Sequence, residues 1–118
     1  MIMRVPSPKR RGDIIALFKS PIFFEGSFLQ VHIRKTTSEK TLLIIVPKKC
    51  GIAVRRNRIR RIIRGWFRIC WQQFPDGISF MVKVSTDIKD ISKNKLSKIL
   101  RNELEKFAEQ FRLSNFGE

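Results

Sequence analysis

Histidine occurs once in this chain, as His32, and cysteine twice, as Cys50 and Cys70. A structural zinc site takes four ligands, and the cysteine spacing matches no zinc or redox signature. Both cysteines therefore read as small buried hydrophobes in a reducing cytoplasm. A protein that cleaves phosphodiesters by itself needs clustered carboxylates for Mg²⁺ or a histidine acid–base pair. One histidine, with no acid cluster near the basic residues, argues against that class. Asp87 and Asp90 read as a turn and cap feature. Long apolar runs are missing too. The longest, TLLIIVP at 41–47, falls far short of the roughly 20 residues that span a bilayer. The opening MIMRVPSPKRRGD has no apolar core of signal-peptide length, so the expectation is a cytoplasmic protein without a membrane partner. The most telling gap is acidic: no Asp or Glu stands between positions 40 and 75.

What is present is basic. The formal net charge is +15, from 25 Lys and Arg against 10 Asp and Glu. No fold needs such an excess, because self-repulsion opposes compaction. A polyanionic partner explains it, nucleic acid first. The acid-free span holds ten basic residues, two-thirds of the net charge in under a third of the chain. Localised charge of this kind is the footprint of a phosphate-backbone site. A hydrophobic fraction of 42% supports a real core, and 118 residues suit one domain. The expectation is a single RNA-binding domain over 1–118, loose at 1–8 and frayed at 113–118.

Hydrophobic periodicity gives the elements. A short amphipathic helix is predicted at 9–19, ended by Pro21. FFEGSFLQVHIRK reads as one strand with a kink at Gly26. TTSE is a turn, and TLLIIVP is a continuous apolar strand, expected to be central. A long helix is predicted at 53–73, stopped by the PDG turn. ISFMVKVS alternates as a half-buried strand, and a last helix is expected at 94–112. This order describes an α/β (α+β) two-layer sandwich, with one mixed sheet of about four strands and helices mainly on one face.

AVRRNRIRRIIRGWFR, at 53–68, carries seven arginines and no acid. At about 100° per residue, Ile59, Ile62, Ile63, Trp66 and Cys70 share one sector, with Phe67 and Ile69 at its edges. Asn57, Arg60, Arg61, Arg64 and Arg68 share the opposite half. An ordinary solvated face would intersperse Glu to relieve the like charges. Arginine also grips phosphate bidentately and stacks on bases, where lysine is a point charge. Asn57 adds no charge; it is placed to cap, or to bond a base edge, sugar or phosphate. The segment before position 53 reads as strand, so no helix-turn-helix is visible and DNA is not the expected partner. RNA, read by shape and by stacking of unpaired bases, fits better. Phe18, Phe23, Phe24 and Phe28 are the aromatics available for a platform, each also a candidate for the core. A structural RNA-binding protein of ribosomal type fits composition and charge equally well. An anionic-membrane binder would need bulky apolar residues beside a basic rim, whereas strands are available to cover this helix's apolar side.

VPKKCGIAVRRNRIRRIIRGWF resembles the signature of the bacterial ribonuclease P protein component. The matching residues are Lys48, Lys49, Gly51, Ala53, Val54, Arg56, Asn57, Arg58, Arg60, Arg61, Ile62, Ile63 and Arg64. Asp13 and Phe18 resemble the family's first helix, and the element order agrees. The resemblance implies a subunit that binds the catalytic RNA of ribonuclease P and the 5′ leader of precursor tRNA. The RNA, with Mg²⁺, would supply the active site, so no catalytic residue is expected in this chain. RNA contacts are then expected from Lys48, Lys49, Arg55, Arg56, Asn57, Arg58, Arg60, Arg61, Arg64 and Arg68. The family fold also implies a left-handed strand–helix–strand crossover, against the general rule. The sequence departs from the family at Pro47, usually Ser, and at Ile52, usually polar. It also departs at Ile14 and near Val31, where aromatics of the leader cleft are common. The leader-contacting role then shifts toward Phe18 and Phe28, with Ile14 the remaining cleft candidate.

Overall fold

In the computed structural model, which describes residues 4–114, the alternating run ISFMVKV is a strand with both faces covered. This is the last strand, β4 (Ile78–Val84), and only Lys83 in it is exposed. It follows β1 (Ile22–Glu25), β2 (Leu29–Lys35) and β3 (Leu42–Ile45). The sheet order is β1-β2-β4-β3, antiparallel except for the parallel β3–β4 pair. The sheet is mixed, as expected, but two strands exchange roles. TLLIIVP, expected to be central, forms the edge strand β3. The half-buried reading of β4 fails because Ser79 and Met81, its supposed wet side, are 3% and 1% exposed. Periodicity records which residues alternate, not whether a second layer covers the polar side.

The run 23–35 is two strands rather than one kinked strand. The chain reverses over Gly26–Phe28, and the Gly26 amide donates to the Leu29 carbonyl. The side chain of Glu103 accepts from the amides of Phe28 and Leu29 at 3.0 Å. A Cβ on Gly26 would collide with that Glu103 oxygen, so any larger residue here would push the carboxylate off the Phe28 and Leu29 amides.

Among the described residues, three α-helices complete the fold: α1 (Arg11–Phe18), α2 (Ala53–Cys70) and α3 (Leu96–Arg112). Helix α2 joins the two parallel strands. Helix α2 starts at Ala53 and α3 ends at Arg112, as expected, but α2 ends earlier and α3 starts later than expected, because 3₁₀ turns at Trp71–Gln73 and Lys93–Lys95 take those residues. Helices α2 and α3 bury one sheet face around Val31, Ile33, Phe80 and Val82. Phe67, placed at the edge of the apolar sector by the wheel, is the hub of the core. Its ring lies 5.0–6.1 Å from those of Trp66, Trp71, Phe74, Phe80 and Phe107. Ile69, at the other edge, is 83% exposed.

Helix α1 lies on the opposite face. Asp13 pairs with Arg34 at 3.2 Å, and the Ser20 carbonyl accepts from His32 Nδ1 at 2.8 Å. Residues 4–8 are pinned rather than loose: Val5 is buried and the Pro6 carbonyl accepts from Leu42. Residues 1–3 and 115–118, parts of the expected loose ends, lie outside the described residues. The α2 C-terminus is closed by Lys40, whose ammonium donates to the carbonyls of Trp71 and Phe74 and sits 4.8 Å over the Trp71 ring.

Candidate nucleic-acid interface

β3 delivers the chain into a 3₁₀ turn at Lys48–Cys50, where Cys50 is buried and both lysines are exposed. Gly51 then takes φ 138°, a backbone region that favours glycine. Its missing Cβ leaves room for the stem of Arg55. Helix α2 starts with Ile52 at its N-cap position, no capping side chain and no acid in the first turn. The helix dipole's positive end is therefore left unrelieved beside the arginines, which favours an anion there.

The arginines of α2 divide by what they hold. Arg58, Arg61 and Arg68 are exposed. Among the described residues, none of the helix's arginines pairs with an acid. Arg60 donates to Asn57 Oδ1 at 3.1 Å. A guanidinium only donates, so the Asn57 oxygen faces Arg60 and its amide NH₂ is left to donate elsewhere. Asn57 lies in the second turn of α2 and so is not its cap. Arg56 keeps a buried Nε without a partner among the described residues.

Two expected contact residues are turned inward. Arg55 donates to the carbonyls of Cys50, Ile88 and Ile91, at 3.1, 2.6 and 2.6 Å. It ties the start of α2 to the loop that follows β4. Arg64 donates to the Val5 carbonyl and to Ser7 Oγ, anchoring the N-terminal segment. Burial pushes the Arg64 pKa down, and the Arg68 charge adds to that. No sequence signal separates these two arginines from their neighbours, because most of their partners, the Ile88, Ile91 and Val5 carbonyls and Ser7 Oγ, are distant in sequence.

The cleft candidates are less concentrated. Phe18, at the end of α1, is 52% exposed, alongside Ile15 at 43% and Ile22 at 48%. Ile14 is half-buried on the same helix. Phe28 is half-buried at the β1–β2 turn, packed against the core. It also lines a depression of about 330 Å³ with Gln30, Pro47 and Lys83. Gln30 and Lys83 are register partners. By strand alternation they share the sheet face of His32 and Met81, which α1 covers only in part. Val31 is fully buried on the other face, so it cannot stand in for a cleft aromatic. His32 and Gln30 hold that side of β2, and the sequence reading missed both. Phe24 is a core residue and Phe23 is partly buried against the core, and both rings pack on Phe107.

Burial raises the Cys50 thiol pKa and pushes that of Cys70 up to about 12, so neither is a thiolate nucleophile at neutral pH. Among the described residues, no three His, Cys, Asp or Glu side chains come together to hold a metal. No helix among them is long and apolar enough to cross a membrane.

A small α+β scaffold that presents an acid-free arginine face is built to meet a polyanion. The comparisons make this specific. The Ribonuclease P family profile matches residues 8–109. The ribonuclease P protein component of Dictyoglomus thermophilum is 35% identical over 96 residues, 78% of this chain and 79% of its own. That of Clostridioides difficile is 30% identical over 103 residues, 84% of this chain and 89% of its own. The RNase P protein from Thermotoga maritima, solved in complex with 1-(4-fluorophenyl)-2-thiourea, matches with a TM-score of 0.72 at 25% identity. That match covers 82% of this chain and 92% of the other. The RNase P protein of Staphylococcus aureus shares the fold, with a TM-score of 0.68 at 23% identity over 86% and 94% of the two chains. This chain belongs to the ribonuclease P protein component family.

Proposed function

We propose that this chain is the ribonuclease P subunit that binds the catalytic RNA through the outer face of α2. In the same complex it holds the 5′ leader of precursor tRNA on the partly covered sheet face beside α1. The observation that carries this reading is the α2 face itself: exposed arginines with no acidic partner, at an uncapped helix start, in a chain of this family. Arg58, Arg61 and Arg68 bind phosphates, with Lys48 and Lys49 extending the track through the preceding turn. Asn57, held by Arg60, donates its free amide to an RNA acceptor. Phe18 offers a face for stacking a leader base, and Gln30 and Lys83 offer polar contacts to the strand.

Among the described residues, no three His, Cys, Asp or Glu side chains come together to hold a metal ion, and the reading gives the protein no metal step. The ion and the hydrolysis of the leader phosphodiester belong to the RNA, in the cytoplasm. The protein's share is binding and placement, which raises the fraction of substrate held with its scissile bond at the RNA active site.

The test is cleavage of a precursor tRNA at low Mg²⁺, with protein alone, bacterial ribonuclease P RNA alone, and both. The expected result is cleavage at the mature 5′ end only with both. No stimulation of an RNA active at high Mg²⁺, with the protein folded, would reject the reading and leave a structural RNA-binding protein of ribosomal type.

A further inference from the structure

Ile52 and Val54 are 74% and 75% exposed at the start of α2. The same two side chains wall a depression of about 540 Å³, closed at one side by Leu96 of α3. Arg58, Arg61 and Lys93 stand around it, and no acid lines it. The volume lies within the roughly 300–1,000 Å³ of ligand clefts. Its chemistry is an apolar wall inside a cationic rim, continuous with the arginine face because Arg58 and Arg61 belong to both.

A regular RNA duplex offers such a site phosphates, 2′-hydroxyls and polar base edges, with its apolar base faces stacked out of reach. An unpaired nucleotide offers a flat apolar base and flanking negative charges, which match the wall and the rim together. Building on the reading that α2 meets RNA, we propose that this depression receives one unstacked base of the bound RNA. The base lies against Ile52 and Val54, and its neighbouring phosphates sit on Arg58, Arg61 and Lys93. Asn57, which also lines the depression, presents its amide to the base edge. The departure at Ile52, where the resembled family usually has a polar residue, then has a purpose: it widens the apolar wall.

The test is binding of bacterial ribonuclease P RNA across a salt series by the double variant Ile52→Ser, Val54→Ser. Both side chains are exposed, and serine is a good N-cap residue, so this variant should melt no lower than the parent. The expected result is affinity about tenfold weaker with the slope of log K against log salt unchanged, because apolar contacts release no counterions. Ile52→Phe should bind at least as tightly as the parent. Unchanged affinity in the serine variant, or a loss accompanied by a flatter slope, overturns the pocket. The pair Arg58→Ala, Arg61→Ala is measured alongside. If it flattens the slope while the serine variant binds normally, only the pocket fails. If it leaves the slope unchanged, the reading of α2 as the RNA face fails as well.

Discussion

Seven arginines lie within one helix, yet they do different work, and only coordinates separate them. Arg55 is the clearest case. Its guanidinium is turned onto three backbone carbonyls, so its positive charge serves a loop junction. Arg55→Met keeps the aliphatic stem and removes the donors. Leaving those carbonyls short of partners costs about 1–3 kcal/mol, several degrees of Tm for a domain of this size. The salt dependence of RNA binding should stay as in the parent. Thermal melts and a salt titration check both halves. A slope flattened as much as by Arg58→Met would return Arg55 to the RNA face. Residue chemistry was legible in the sequence where identity alone decides it: a run of arginines with no acid among them marks the charged face of α2. It was illegible for Arg55, Arg64 and Glu103, whose partners are mainly backbone groups brought close by folding.

At the scale of elements, α2 and α3 are instructive neighbours. Both are amphipathic and similar in length. On α3 the exposed basic residues Lys98, Arg101, Lys106 and Arg112 are interspersed with exposed Glu105 and Glu109, and Arg112 pairs with Glu109 at 3.5 Å. That is a solvated helix relieving its own charges. Helix α2 does not relieve them, and this contrast was visible in the sequence. Layering was not. The sequence placed β4 as half-buried because it could not foresee α1 crossing to the far face of the sheet, and β3 as central because an apolar run does not reveal strand order. That crossing decides where a leader could lie, since α1 covers the Arg34–His32 side and leaves Gln30 and Lys83 more open. Phe18 sits at the end of α1 with half its surface in solvent, so its ring does little for the core. Phe18→Leu should leave the melting temperature within about a degree of the parent. It should weaken holoenzyme binding of leader-bearing precursor by about 1–3 kcal/mol, with mature tRNA bound as before. Equal losses for precursor and mature tRNA would remove Phe18 from any leader contact.

The whole molecule carries its charge unevenly, and that unevenness, more than its size, should govern binding. Ten of the 25 basic residues lie in the acid-free span that contains α2. Net charge alone would attract any polyanion weakly and from any side. A localised face orients the encounter and places several cations on phosphates at once. The two ideas separate in one experiment. Replacing Arg58, Arg61 and Arg68 with Gln lowers the net charge by as much as replacing Lys98, Arg101 and Lys106, and all six side chains are exposed. If total charge governs, the two triple variants lose affinity for the ribonuclease P RNA alike. If the α2 face governs, the first variant loses about 0.7–0.9 from the salt slope for each phosphate contact removed, while the α3 variant keeps the parent slope. Equal slopes in the two variants would mean that this face meets no particular surface of the RNA. A difference of about two or more would show that the α2 face, and not total charge, is the surface that meets the RNA's phosphates.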